Sequence, residues 1–291
     1  MAIANFVPEV WSARLLRHLD SRLVYAQPTC VNRDYEGEIS QAGDTVHIQK
    51  VGAVTAKAYT KNTDMDAPER PDGTTVPLTI DEEWYWNIAI DDVDKVQVNV
   101  PLLDRFAERA GRAMAVQVDS AVAAVMVAGA GIDIGTSAAP KTVGNGLSDD
   151  YTLYELAVEQ RRLLDNNVAP EDGRWFVIPP DLESSALLDP NFVPAGANEQ
   201  RTGIIGRMAG FDILKTTAVP TIEKTGAAPY DSWGILFGAG NYATTHANQI
   251  LHTEAYRIEK QFGDALKGLN VWGTDVIEAA SLGCSVISKG A

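Results

Sequence analysis

The sequence is poor in the residues that bind metals and activate nucleophiles. Its 291 residues include two cysteines, Cys30 and Cys284, and four histidines. Neither CxxC nor HExxH spacing occurs, which removes a disulfide framework, a zinc site and a metalloprotease from consideration. The cysteines read as buried free thiols of a chain made in a reducing compartment. His246 and His252 lie close in sequence while His18 and His47 stand alone, so all four read as ordinary surface or interface histidines. Cations are scarce too. Against 39 Asp and Glu there are 24 Lys and Arg, a net charge of −15 with no basic run, so tight binding to nucleic acid or an anionic membrane is not expected. Long apolar runs are also missing. The most apolar stretch, residues 121–131, falls short of the roughly 20 residues that span a bilayer, and the first ten residues lack the charged and apolar regions of a signal peptide. A soluble protein made in the cytoplasm is the expectation, and 45% hydrophobic residues suffice for a real core.

What is present is a definite order of elements. Val10, Trp11, Leu15, Leu16 and Leu19 fall at helical spacing after Pro8, predicting an amphipathic helix over residues 8–19. An irregular, extended segment follows as far as Gly43. Val46, Ile48 and Val51 then nearly alternate with polar residues as in a half-exposed strand, and a second strand is predicted from Thr75 to Ile80, continuing through Trp84 to Ile90. Between them residues 60–73 are polar, carry Pro68 and Pro71, and hold too few apolar residues for a core. That pattern describes a long hairpin projecting from the body. Asn99 and Pro101 open a helix that runs without a breaker to about residue 128, a rod of about 40 Å. Its second half, residues 121–128, is apolar all round and is expected to be buried.

After glycines 129, 131 and 135, which read as a helix terminator, Asp149 or Asp150 is the expected cap of a helix striped with Leu153, Leu156, Ala157, Gln160, Leu163 and Leu164 and ending at Asn166-Asn167. A strand over 174–178, a short helix over 181–188, a hairpin around Ala209-Gly210, a strand over 233–237 and returning strands near 254–260, 268–278 and 285–287 complete the chain.

Chemical motifs are weak. Gly238, Gly240 and Ala243 form a GxGxxA after a strand, with Glu259 about twenty residues on, as a dinucleotide site requires. The following Thr244, Thr245, His246, Asn248 and Gln249 make a poor helix, and the motif reads as a strand ending in a tight turn. Glu82, Glu83, Asp91, Asp92 and Asp94 lack the glycine and ligand spacing of a calcium loop and read as helix capping and a solvated acidic face. No GxSxG occurs, and Cys284 has no base beside it. No catalytic residue, cofactor site or metal site is predicted.

Several stretches carry a family resemblance: Tyr35-Glu36-Gly37-Glu38-Ile39 before Gly43-Asp44-Thr45-Val46, Ile90-Asp91-Asp92-Val93-Asp94, Asn166-Asn167-Val168-Ala169-Pro170 with Arg174-Trp175-Phe176-Val177-Ile178-Pro179-Pro180, and Gly206-Arg207-Met208-Ala209-Gly210-Phe211-Asp212-Ile213. In this order, over nearly the whole chain, they resemble the major capsid proteins of tailed bacteriophages with the HK97-type fold, on the branch of the phage P22 coat protein. The resemblance implies an α+β subunit with an N-terminal arm (1–40), an extended β-hairpin loop (41–88), a spine helix with the first part of a peripheral domain (89–134), an axial domain (135–253) and the rest of the peripheral domain (254–291). It implies assembly into hexamers and pentamers of an icosahedral head, in the host bacterial cytoplasm, around double-stranded DNA bound without sequence preference. A separate scaffolding protein, a portal protein and a decoration protein are the implied partners, and no membrane is. Projection and polarity pick out Trp11, Arg14, Arg33, Tyr35, Lys57, Lys61, Asp64, Glu69, Arg70, Arg105, Arg109 and Arg112 as interface residues. Some relatives weld subunits through a lysine–asparagine isopeptide, for which Lys57 or Lys61 with Asn270 are the residues to consider, though both residue types are common. The alternatives are an encapsulin-like compartment and, from another class, a nucleotide-binding oxidoreductase built on the Gly238/Gly240 turn.

Overall fold

The computed structural model of the chain describes residues 23–35, 45–51, 56–62, 64, 67–68, 73–91, 102–143, 151–167, 169–188, 193–194, 204–226, 231–259 and 263–289. The helix expected over 8–19 lies outside them. Alternating apolar residues form β1 (Thr45–Val51) and β2 (Gly73–Thr79), which pair antiparallel from Thr45↔Thr79 to Val51↔Gly73. The second expected strand does not run on as one. It breaks at Ile80-Asp81, and β3 (Glu82–Asp91) joins a different sheet. Ile80 is buried at the break, so the chain turns where an apolar side chain wedges between the two sheets.

The breaker-free stretch forms α1 (Leu102–Gly129), 28 residues long, ending at the expected glycine. Its second half is not buried all round. Val122, Ala123 and Met126 are buried, yet Ala124 and Ala128 are exposed. One subunit packs against only one side of this rod. By length and composition Glu108–Gly129 is long and apolar enough to cross a membrane, more than residues 121–131 suggested. Its inner side nevertheless packs in the chain's own core, and Arg109, Arg112, Gln117 and Ser120 lie on its exposed side.

Beyond β4 (Ile132–Ile134) comes α2 (Leu153–Asn166), with Leu153, Leu156, Ala157, Gln160 and Leu164 buried as the stripe predicts. The cap is Thr152, not Asp149 or Asp150. Its hydroxyl accepts the Glu155 N–H at 3.1 Å while the Glu155 carboxylate accepts the Thr152 N–H at 2.9 Å, a complete capping box. Thr152→Ala should lower stability by about 1 kcal/mol, read as a fall in urea midpoint with no change in slope. An unchanged midpoint would show that the box is redundant.

β5 (Arg174–Ile178), α3 (Glu183–Leu188), β6 (Val193–Pro194), β7 (Ile204–Met208), β8 (Phe211–Lys215), β9 (Thr221–Ile222) and β10 (Ser232–Ala239) follow. Ala209 and Gly210 take φ of 51° and 91°, the two left-handed residues of a tight two-residue hairpin turn. The chain closes with β11 (Thr244–Arg257), β12 (Gly263–Val276) and β13 (Leu282–Ser288). A mixed sheet runs β4-β13-β10-β5-β8-β7-β6 with β9 beside β10, and a separate antiparallel sheet runs β11-β12-β3. One core lies between α1, the mixed sheet and Trp272, a second beneath α2, and a third, smaller one at the root of the β1–β2 hairpin.

The segment before the hairpin departs from expectation. Cys30 is buried as expected, but Tyr25, Ala26 and Val31 of the same N-terminal arm, which would bury little in a single subunit, are also at 0% exposure in the first core.

Candidate assembly interface

The surfaces available for contact follow from what the cores leave uncovered. At the root of the hairpin, Val46, Ile48, Leu78 and Ile80 pack on Ala247 and Val271, with Tyr35 against them. Lys50 Nζ pairs with Glu278 at 2.7 Å and donates to the Ile277 carbonyl at 3.2 Å. Gly273 lets the Thr79 backbone lie directly on β12, because any Cβ there would strike the Thr79 carbonyl. The root is therefore fixed to the body. The far part is the opposite: residues 56–62 are all exposed, Tyr59 at 74%, and Asn62 adopts φ of 65° in a turn.

Lys57, Lys61 and Asp64 sit on this exposed loop. Arg109 and Arg112 lie on the open side of α1. Arg33 and Tyr35 are half-buried in the N-terminal segment. These residues lie on three different elements of the subunit. Trp11, Arg14, Glu69 and Arg70, and the side chain of Arg105, lie outside the described residues. Asn270 is 1% exposed on β12, so neither lysine of another copy can reach it without opening the sheet.

Pattern reading missed three residues that set this geometry. Asp119, midway along α1, is buried and its carboxylate accepts the backbone N–H groups of Val24 at 2.8 Å, Tyr25 at 3.0 Å and Ala26 at 3.1 Å. Burial pushes this carboxyl up to about 6 although the three N–H groups favour its anion. A lone acid inside the apolar half of a helix was the available signal. His246, expected at the surface or in an interface, is fully buried, and burial pulls its imidazole down to about 3. The third is Gly273, the seat of the hairpin. Both cysteines are free and buried, and burial raises Cys284 to about 12, leaving it inert.

The glycine turn has no ligand geometry. After Gly240, at φ of 63°, the chain enters β11 directly, so no helix N-terminus faces the turn. Its amide is already bound to the Gly173 carbonyl at 3.1 Å and its carbonyl accepts Trp175 Nε1 at 2.9 Å. Among the described residues no group of three or more His, Cys, Asp or Glu is placed to hold a metal.

The family described as phage capsid protein matches residues 85–279. A structure from Mycobacterium phage Che8 aligns at a TM-score of 0.62 with 25% identity, covering 91% of this chain and 90% of that one. The capsid of Ralstonia phage GP4 aligns at 0.66 with 14% identity over 92% and 89%. A virus-like particle from Pyrococcus furiosus aligns at 0.55 with 11% identity over 95% and 98%. No curated protein sequence matches. The chain belongs to the phage capsid protein family and is a major capsid protein with the HK97-type fold, a self-associating structural subunit of the virion.

Proposed function

We propose that this subunit, on the branch of the phage P22 coat protein, tiles as hexamers and pentamers into an icosahedral head that assembles in the host cytoplasm and encloses double-stranded DNA. The partition in the proposal is an arm over 1–40, a loop over 41–88, a spine and peripheral part over 89–134, an axial domain over 135–253 and a peripheral return over 254–291. The observation that carries it is the hairpin, locked at its root and wholly exposed over residues 56–62. Such an element buries little within its own chain and gains contact area only across a neighbour.

Lys57, Lys61 and Asp64 on the loop, Arg33 and Tyr35 on the segment, and Arg109 and Arg112 on α1 are the proposed contact groups. With a net charge of −15, a shell wall that repels phosphate holds DNA without gripping it. A separate scaffolding protein, a portal and a decoration protein are the proposed partners.

Electron microscopy of the protein, alone and co-expressed with its scaffolding protein, tests the proposal. Closed shells support it, and monomers or dimers under every condition reject it. Joint replacement Lys57→Glu and Lys61→Glu should raise the concentration needed for assembly by roughly tenfold or more while leaving thermal stability unchanged. Normal assembly would remove the loop lysines from the interface. Shells that carried a protein cargo in place of DNA would favour the compartment reading.

A further inference from the structure

The first core leaves one side of α1 open. Ala113, Val116, Ala124 and Ala128 are exposed, Val116 at 42%, and at helical spacing they share one side of the rod. At the C-terminal end of α1 lies a cavity of about 410 Å³, lined by Val125 and Ala128 of the helix, Asp275 of β12, Glu278, and Lys50 of β1. Lys50 is already paired with Glu278 at 2.7 Å, and the last turn of α1 holds no basic residue. The cavity therefore joins apolar side chains to Asp275 and the negative end of a helix dipole. That combination suits an apolar group carried by a cationic segment.

The chain itself holds such a segment. Arg14, Arg17 and Arg22 outnumber Glu9 and Asp20 over residues 1–22, in a chain of net charge −15. Trp11, Leu15 and Leu19 recur every four residues, an apolar stripe of the helix expected over 8–19, with Arg14 and Arg17 off the stripe. The point where this segment joins the described residues is fixed, because Asp119, midway along α1, accepts the Val24 N–H at 2.8 Å. From Leu19 to Leu23 the chain spans at most about 14 Å, which puts the end of such a helix within reach of the middle of α1. A helix over 8–19 would measure about 18 Å, and α1 from Asp119 to Gly129 measures about 15 Å. The two lengths match.

We propose that residues 8–19 form an amphipathic helix that folds back on the open side of α1 in the same subunit, antiparallel to it, with Trp11 at the cavity. Charge sets the direction. Toward its N-terminal half α1 exposes Arg109 and Arg112, which repel the arginines of the segment. In the other direction lies Asp275, and antiparallel docking puts the positive end of the added helix beside the negative end of α1. Small side chains at Ala124 and Ala128 let two helix axes approach to about 8 Å. A tether this short gives an effective concentration of roughly millimolar, far above that of a second copy's segment in dilute solution. The contact belongs to the single subunit and does not depend on the proposed shell architecture.

Thiol accessibility in the full chain, kept dilute enough to stay unassembled, tests the contact, because Cys30 and Cys284 are buried and a new surface cysteine is read alone. Ala124→Cys should react with a maleimide roughly tenfold more slowly than the same cysteine combined with Trp11→Ala and Leu15→Glu. Ala113→Cys, on the far side of Asp119, should react at one rate in both backgrounds. Paired Leu15→Cys and Ala124→Cys should oxidise to a disulfide within one chain, at a rate independent of protein concentration. Three results would overturn the docked helix: equal rates at Ala124→Cys in both backgrounds, an equal change at Ala113→Cys, which is general loosening, or a disulfide that links two chains, which gives the open side of α1 to a second copy's segment.

Discussion

Replacing Asp119 with alanine is expected to lower the stability of the subunit by roughly 3–5 kcal/mol, a large part of the ~5–15 kcal/mol typical of a folded chain. The substitution leaves the N–H groups of Val24, Tyr25 and Ala26 without an acceptor, and all three residues are buried where water cannot replace it. An orphaned buried donor retains its full desolvation penalty. Asp119→Asn should be milder, because one amide oxygen can still take the two bonds that Oδ1 now accepts from Tyr25 and Ala26. The readout is the urea midpoint at constant slope. A midpoint equal to that of the parent in Asp119→Ala would mean that the carboxylate does not anchor the segment.

Gly273→Val is the second large effect, and it acts on assembly more than on stability. The new Cβ meets the Thr79 carbonyl oxygen and carbon and Ile80 Cδ1. The obstacle is backbone, which no rotamer change can clear. The β1–β2 hairpin has to lift off β12, opening the small core of Val46, Ile48, Leu78 and Ile80. Overpacking of this kind costs about 1–3 kcal/mol, and a tilt at the root moves the loop end away from where a neighbour would meet it. Soluble subunits, faster amide exchange confined to Thr45–Val51 and Gly73–Thr79, and no closed shells by electron microscopy are expected. Gly268 is the control: the atoms nearest a Cβ there belong to the Trp86 ring and not to backbone, so Gly268→Ala should assemble far better. Equal assembly by Gly273→Val and the parent would detach loop orientation from shell formation.

Features that depend on local pattern were legible. The length of α1, the stripe of α2, the tight turn at Ala209-Gly210 and the strand that ends in a turn at Gly240 all follow from spacing within a few residues. Capping was legible in kind but misplaced, since Asp149, Asp150 and Thr152 are all good caps and only Thr152 has a glutamate three residues on. The exposed loop with Lys57 and Lys61 was legible from its polarity, because a segment with few apolar residues cannot build a core.

The sequence by itself determined the elements, their order and the absence of any long basic or metal-binding pattern, since helical and strand periodicities are properties of consecutive residues. Only the tertiary structure decided that β2 and β3 part into different sheets, that residues 23–26 and Val31 belong to the core, and that Asp119 and His246 are buried. Each of those depends on partners far along the chain: Asp119 holds an amide 95 residues away, and the His246 ring is paired with Thr274 of the neighbouring strand. An acid on a helix or a histidine on a strand carries the same letter whether water or another segment meets it, and the free energy that separates the two cases exists only once the chain has closed on itself.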